Sequence, residues 1–433
     1  MSVFDMFTLF GGLALFLYGM SVMGNSLEKL AGSRLKSVLG SMTSNVFKGF
    51  LLGLGVTAII QSSSATTVMV VGFVNSGLMT LRQATGVIMG ANIGTTITSF
   101  IISLEDINSS AMSYMGLLKP SFWAPILAAV GVFFILFINK KKYQNLGMIF
   151  AGFGFLFVGL GMMETSMSFL KDNPEFQQVL LSFSNPLLGV LVGAGVTAII
   201  QSSSASVGIL QTLAGSMVLP FSSVVPVILG QNIGTCITAI LSSIGANKNA
   251  KRAAVIHLLF NVIGTALFLV LIYAFPVANY LPFWNEQTSR LNIAVFHLIF
   301  NISNTLILLP FSNFLVKCAQ FIVPGKETRV GYNFLDERLL ATPALAVGQA
   351  VKQVVGMAHL AQESVGLSLD MLENQSTSKM GEIDDNELAI DEIEANTTQY
   401  LVKIADEPLT DEENENVSMM FHIVTDLERI GDH

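Results

Sequence analysis

The stretch Gln61-Ser62-Ser63-Ser64-Ala65 decides how the chain is read, because it returns as Gln201-Ser202-Ser203-Ser204-Ala205, displaced by 140 residues from 61 to 201. Twelve of the thirteen residues from 53 to 65 recur from 193 to 205, and only Leu54 changes, to Ala194. Both copies interrupt long apolar runs. An amide and three hydroxyls in such surroundings need partners, since a buried polar group left unpaired is costly. One serine could bond back to the preceding helical turn. Four adjacent polar side chains point around the whole helix, and their duplication marks the cluster as a ligand site.

The flanks fix its setting. Residues 46–60 and 65–79 are apolar legs of 15 residues each, about 22 Å as helix against a hydrocarbon core of about 30 Å. Neither spans, so a re-entrant hairpin with the serines at its tip is expected, its irregular backbone lining a cavity. The second copy predicts the same for residues 187–219. Each hairpin is followed by a related segment, Gly90-Ala91-Asn92-Ile93-Gly94-Thr95-Thr96 and Gly230-Gln231-Asn232-Ile233-Gly234-Thr235. Here a helix break is expected to add an amide and a hydroxyl to the site. Gly53, Gly55, Gly193 and Gly195 read equally well as helix-packing positions.

Spanning helices are expected near residues 4–23, 83–103, 122–138, 146–169, 224–243, 253–275 and 291–316, with a polar linker carrying Lys29, Arg34, Lys36 and Lys48 after the first. Asp5 in place of a basic cluster, and no small-residue cleavage pattern, make the first a transmembrane helix rather than a signal peptide. Phe10, Gly12, Gly19 and Met23 match Phe150, Gly152, Gly159 and Met163, again 140 apart. Octets 254–261 and 294–301 form a smaller repeat, and their His257 and His297 read as packing or hydrogen-bonding groups. Glu164 reads as an interfacial, structural acid.

With 52% hydrophobic and 12% charged residues, the chain is a polytopic membrane protein rather than a soluble domain. Residues 1–325 hold 15 Lys/Arg against 8 Asp/Glu, whereas residues 326–433 hold 7 against 22, so a membrane unit gives way to an acidic soluble tail. Cys236 and Cys318 lie in or beside apolar runs, which argues against a disulfide framework. Three crossings separate helix one from its copy, so the second repeat is inverted. Most basic residues, from Lys29 through Lys140, Lys141 and Lys142 to Lys317, then fall on one side, and Lys119, Lys171 and Arg290 on the other. The basic side is cytoplasmic. A plasma (inner) membrane protein is expected, N-terminus outside and tail inside. The expected fold is an all-α polytopic membrane protein of two inverted-topology repeats with re-entrant helical hairpins, plus a soluble helical bundle. Its units are 1–144, 145–325 (with additional helices) and 335–433. Inverted repeats with broken helices at mid-membrane are a secondary-transporter plan.

Facing hairpin tips, with half-helix N-termini, attract an anion. Unwound carbonyls and hydroxyls suit a hard cation such as sodium, which could supply the positive charge that no Lys or Arg of the motifs offers. The paired Gln-Ser-Ser-Ser hairpins, each followed by Gly-x-Asn-Ile-Gly-Thr, resemble the type II sodium/phosphate cotransporter family over residues 1–320. That resemblance implies sodium-driven uptake of inorganic phosphate, a transporter and not an enzyme. Phosphate would lie on Ser62, Ser63, Ser202, Ser203, Asn92 and Asn232. Sodium, the coupling ion, would lie on Gln61, Ser64, Thr95, Thr96, Gln201, Ser204 and Thr235, with no organic cofactor and no transition-metal site. The His-Asp-Phe-Phe-Asn-like segment of vertebrate members does not follow Thr96, and Leu258 stands where its Asp would be after His257, which leaves the sodium count open. A phosphate-sensing receptor and a carrier of another small anion remain as alternatives.

The tail shows helical apolar spacing at Leu345, Val351, Val355, Ala358 and Val365, then Leu388, Ile393 and Leu401, then Val417, Met420, Val424 and Leu427. Pro408 and Thr410-Asp411-Glu412-Glu413 read as a break and an N-cap. Three amphipathic helices in a bundle are expected. The closing Glu428-Arg429-Ile430-Gly431-Asp432-His433 resembles the PhoU-like signature, cut short; in that family acidic clusters can bind metal, whereas here a solvated acidic face is expected. An acidic surface with no basic stripe argues against nucleic acid. The lipid bilayer is a partner, and a homodimer is left open. The tail is expected to dock loosely, by charge, beneath the basic loops and to modulate transport without contributing to the site.

Overall fold

The computed structural model describes residues 3–41, 45–106, 119–167, 174–216, 219–275, 280–325, 335–340, 343–407 and 409–433. Among them seventeen α-helices form and no β-strand. The first half holds α1 (Val3–Ser41), α2 (Val46–Ile60), α3 (Ser63–Asn75), α4 (Leu81–Ser103) and α5 (Pro120–Phe137). The second holds α6 (Lys141–Met167), α7 (Pro174–Ser182), α8 (Pro186–Ile200), α9 (Ser203–Ser216), α10 (Phe221–Gly234), α11 (Cys236–Ser242) and α12 (Lys248–Leu269). α13 (Arg290–Leu308) and α14 (Ser312–Ile322) follow, then the tail helices α15 (Pro343–Asn374), α16 (Met380–Ala405) and α17 (Asp411–Asp432).

Seven helices are long and apolar enough to cross a membrane, while α2, α3 and α8 are apolar but shorter. α2–α3 and α8–α9 are the two expected hairpins. The lipid-facing character of the periphery is plain in α5, whose Phe122, Phe133, Leu136 and Phe137 are exposed, and in Leu187, Leu191 and Ile199 of α8. α4 and α10 are buried nearly all round and form the centre.

The two halves are inverted copies, and the packing of α1 on α6 shows it directly. A Cβ on Gly12 would stand 2.9 Å from Gly159 O and from Met163 N, and one on Gly152 would stand 2.7 Å from Gly19 O and 2.8 Å from Met23 N. Those contacts are reciprocal between residues 140 apart, and rising numbers on one helix meet falling numbers on the other. Only a twofold axis lying across antiparallel helices does both. Within each half the contacts also repeat. A Cβ on Gly53 would fall 2.0 Å from Val87 O and one on Gly193 2.1 Å from Val227 O, while Gly90 and Gly230 meet Phe50 O and Val190 O at 2.0 Å. The glycines thus let main chains touch, the packing mode of membrane helices. Gly55 and Gly195 face open space.

Several elements differ from the sequence reading. The expected linker after residue 23 is helix: α1 runs on through Lys29, Arg34 and Lys36, residues of good helix propensity. α4 does not break at Gly90-Ala91-Asn92-Ile93-Gly94-Thr95-Thr96, and its Gly90 and Gly94 are used for packing on α2. The second copy is interrupted only at Thr235, a turn residue of helical dihedrals that still donates to Gln231 O. The helix expected over 291–316 stops at Leu308, where Pro310 cannot continue the ladder. In the tail, Val351, Val355, Val365 and Leu388 are exposed, and the core is built instead from Val347, Ala350, Val354, Met357, Leu360 and Ala361 of α15 against Ile390, Ile393, Tyr400, Leu401, Val417, Met420 and Val424. The α15 stripe is therefore shifted by a residue from the expected register. Pro408 lies outside the described residues. The cap beyond it holds: Thr410 and Glu413 close a capping box at the start of α17.

Candidate functional site

Each hairpin tip is made by one residue of unusual backbone. Gln61 (φ 61°) and Gln201 (φ 60°) are left-handed, a conformation that non-glycine residues adopt at a cost and that terminates α2 and α8. The chain then reverses into α3 and α9. Ser62 Oγ accepts from Ala65 N at 3.1 Å and Ser202 Oγ from Ala205 N at 3.3 Å, so these serines are N-caps. Their O–H groups still donate. The amides of the next two residues, Ser63–Ser64 and Ser203–Ser204, have no intrahelical acceptor by position. Two helix N-termini with free N–H groups and serine hydroxyls constitute an anion-binding arrangement.

The structure brings the two tips together: Ser64 Oγ donates to Gln201 O at 3.0 Å. Ser63, Ser203 and Ser204 are buried, Ser62, Ser64 and Ser202 half-buried, and Gln201 exposed. Beneath each tip a hydroxyl pair locks the hairpin, Thr57 to Thr66 at 3.0 Å and Thr197 to Ser206 at 2.8 Å.

The Asn and Thr residues after the hairpins are buried but placed less uniformly. Asn92 Nδ2 donates to Ile88 O and Asn232 Nδ2 to Ile228 O, each four residues back. Asn232 Oδ1 faces α13, accepting from Asn301 Nδ2 at 3.2 Å with His297 Nε2 at 3.4 Å. Thr95 and Thr96 bond to Ala91 O and Ile93 O. Thr235 Oγ1 is buried without a partner, as are Asn261 Oδ1, Asn301 Oδ1, Asn304 Oδ1 and Thr305 Oγ1. Unsatisfied buried oxygens are the donor type a hard cation takes. His297 bridges Asn232 and Ser99, whereas neither ring nitrogen of His257 has a hydrogen-bond partner.

Sequence reasoning missed three residues close to the site. Thr98 Oγ1 donates to Gln61 Oε1 at 2.7 Å and fixes the first tip. Gln231, standing where the first half has Ala91, donates to Ser206 O and Oγ in the second hairpin. Arg290 is buried at the head of α13, paired with both Asp106 and Glu164 and bonded through its carbonyl to Gln211 of α9. Glu164 is thus a structural acid as expected. The signal for the cluster was available: Arg290 is one of three basic residues on a side that holds most of the membrane unit's acids, Asp106 and Glu164 among them.

In the tail, carboxylate oxygens of Asp391, Glu428 and Asp432 lie within 4.8 Å of one another. Desolvation, then Asp432, Asp391 and Glu394, push the Glu428 carboxyl above its usual range.

Residues 15–165 and 170–296 match the Na+/Pi-cotransporter family, and residues 354–433 match the PhoU domain. The Bacillus subtilis uncharacterized protein YqeW is 30% identical over 72% of this chain and 96% of its own length. The Salmonella typhimurium putative inorganic phosphate export protein YjbB is 27% identical over 80% of this chain, which spans 62% of that relative's length. The human sodium-dependent phosphate transport protein 2B is 37% identical over 23% of this chain and 15% of its own length. No solved structure matches.

Proposed function

We propose that this chain, which belongs to the Na+/Pi-cotransporter family, is a secondary active transporter that carries inorganic phosphate into the cell with sodium by alternating access. The observation that supports this best is the meeting of two inverted, left-handed Gln-Ser tips through Ser64 and Gln201. An anion there is held by serine O–H groups and amides of α3 and α9, as a phosphate needs several donors at once. The phosphate ligands are Ser62, Ser63, Ser202 and Ser203, with Asn92 and Asn232 behind them. Sodium, held by oxygens of Gln61, Ser64, Thr95, Thr96, Gln201, Ser204 and Thr235, offsets the charge that no motif Lys or Arg neutralises. Two equivalent halves about one site provide the two gates that alternating access requires. The N-terminus lies outside and the acidic tail in the cytoplasm, and the membrane is the plasma membrane.

The experiment is uptake of labelled phosphate into proteoliposomes under an inward sodium gradient, a potassium gradient, or none. Accumulation only with sodium is the expected result. Flux that follows the phosphate gradient and ignores sodium overturns the coupling and favours an exporter, the activity in the printed name of the YjbB relatives. Phosphate binding with no flux favours a receptor signalling through the tail. A competition panel of sulfate, arsenate and serine tests the cargo.

A further inference from the structure

The tail does not dock loosely. A short strap, residues 335–340, joins it to the membrane unit through a packed and hydrogen-bonded contact. Leu339 is wholly buried in the membrane unit's core, among Val70, Phe73 and Val74 of α3 and Ala253 and Ile256 of α12. It lies over Gly72, where a Cβ would stand 3.0 Å from Leu339 Cδ2. Three residues earlier, Asp336 is 5% exposed and every polar atom of it is used. Its carboxylate accepts from Asn75 Nδ2 at 2.8 Å and from Arg338 N and Nη1 at 2.9 Å. Its N–H donates to Gln349 Oε1 of α15 and its carbonyl accepts from Tyr400 Oη of α16.

Asn75 is the last residue of α3, the leg that begins at the first Gln-Ser tip. On its other side it grips the second half. Asn247 N donates to Asn75 Oδ1 at 2.8 Å and Asn247 Nδ2 to Asn75 O at 2.6 Å. Asn247 itself caps α12, accepting from Ala250 N. Arg338 adds a bond to Ile244 O in the turn between α11 and α12. One junction therefore holds the exit of the first hairpin, the α11–α12 turn of the inverted copy and two tail helices.

We infer that the strap at Asp336 and Leu339 is an autoinhibitory clamp, by which the tail holds the first hairpin against the second half and keeps the tail-side path shut. Alternating access requires the halves to part on each side in turn. On the tail side they cannot part while Asn75 and the α11–α12 turn share the strap. The strap is in turn held by Gln349 and Tyr400, so a shift of α15 against α16 is transmitted to the hairpin. Since the Gln-Ser tips lie at the far end of α3, the clamp governs turnover and leaves the ligand contacts alone.

This rests on the transport reading, and the test separates the two. Leu339→Ala, Tyr400→Phe and the double change Asp336→Ala with Arg338→Ala are compared with the wild-type full chain in proteoliposomes. Maximal phosphate flux should rise about threefold or more, at a half-saturating phosphate concentration unchanged within about twofold. Unchanged or lowered flux in all three variants overturns the clamp. In a Cys318→Ser background, Asn75→Cys with Asp336→Cys should react with a short bifunctional, reducible thiol reagent. Cross-linking should cut flux about tenfold and reduction should restore it; full flux in the cross-linked protein overturns the inference. Should the wild type move no phosphate at all, hydrogen exchange at residues 70–76 remains. Faster exchange in Leu339→Ala and Tyr400→Phe then shows that the strap holds the hairpin while both the transport reading and its autoinhibition fail, and wild-type exchange in both removes the strap's hold as well.

Discussion

Gln61 and Gln201 share a backbone conformation and an internal repeat but not their surroundings. The amide of Gln61 is held at both ends, Nε2 donating to Ala58 O at 2.6 Å and Oε1 accepting from Thr98 Oγ1 at 2.7 Å. The counterpart of Thr98 is Thr238, which bonds to Thr235 O instead, and the Gln201 side chain is exposed. α4 continues unbroken past Thr96, so Thr98 stays aimed at the first hairpin. Between α10 and α11 Thr235 is itself helical and donates to Gln231 O, and the Thr238 hydroxyl folds back onto its own turn. Gln231 compensates lower down, through Ser206. The first hairpin is further fixed at its exit by Asn75 and the strap. One tip is therefore fixed through its side chain and the other is not, a difference that repeated sequence alone does not announce.

The largest effect should come from the part that is the same in both halves. Gly53→Ala and Gly193→Ala each drive a methyl into a carbonyl, at 2.0 and 2.1 Å. Each should cost about 3 kcal/mol or more, at the top of the range for overpacking, and the two losses should be alike. Gly55→Ala and Gly195→Ala, which face open space, should be near neutral. Thermal unfolding in detergent, followed by size-exclusion chromatography, reads all four. If Gly193→Ala is tolerated while Gly53→Ala is not, the halves differ in their frames as well as at their tips.

Ser62→Ala and Ser203→Ala come next. Loss of a donor to a buried anion should weaken phosphate binding by about 1–3 kcal/mol in either half. Ser62→Ala also removes an N-cap, which costs about 1 kcal/mol of stability, while Ser203 caps nothing. Calorimetric phosphate titration alongside unfolding separates the two contributions. Wild-type affinity in both variants would remove the serines from the site.

What was legible follows from this same contrast. The hairpins could be read because four polar residues between two short apolar legs admit few other solutions, and the inversion because the crossings between repeats were odd. The tail bundle could be read from its spacing, although Val354 and Val355 are adjacent and the sequence offers no way to choose which faces inward. The course of the helix behind each tip could not be read. Gly-x-Asn-Ile-Gly-Thr is common to both halves, and the different partners of Thr98 and Thr238 are not written in it. The strap was illegible for a different reason: six residues with no period and no repeat acquire meaning only from Gln349 nearby and from Gly72, Asn75 and Tyr400, which are distant in sequence.

The finest test of the comparison uses the strained residues themselves. A non-glycine residue in the left-handed region costs about 1–2 kcal/mol, and glycine there does not. Gln201→Gly should therefore raise stability by about 1 kcal/mol, because the side chain removed makes no hydrogen bond that would be lost. Gln61→Gly relieves the same strain but gives up the bonds to Ala58 and Thr98, worth about 1 kcal/mol each, so it should leave stability unchanged or lower it slightly. Binding should show the reverse order of surprise: sodium-dependent phosphate affinity should fall in the stabilised Gln201→Gly protein, since its amide is the one free to reach cargo. Thr98→Val gives an independent control, freeing the Gln61 amide without touching its backbone, and Thr238→Val should do nothing at either tip. Equal stability changes for the two glycine variants would mean that Gln61 gains nothing from Thr98. The asymmetry between the tips would then lie in α4 and α10 alone.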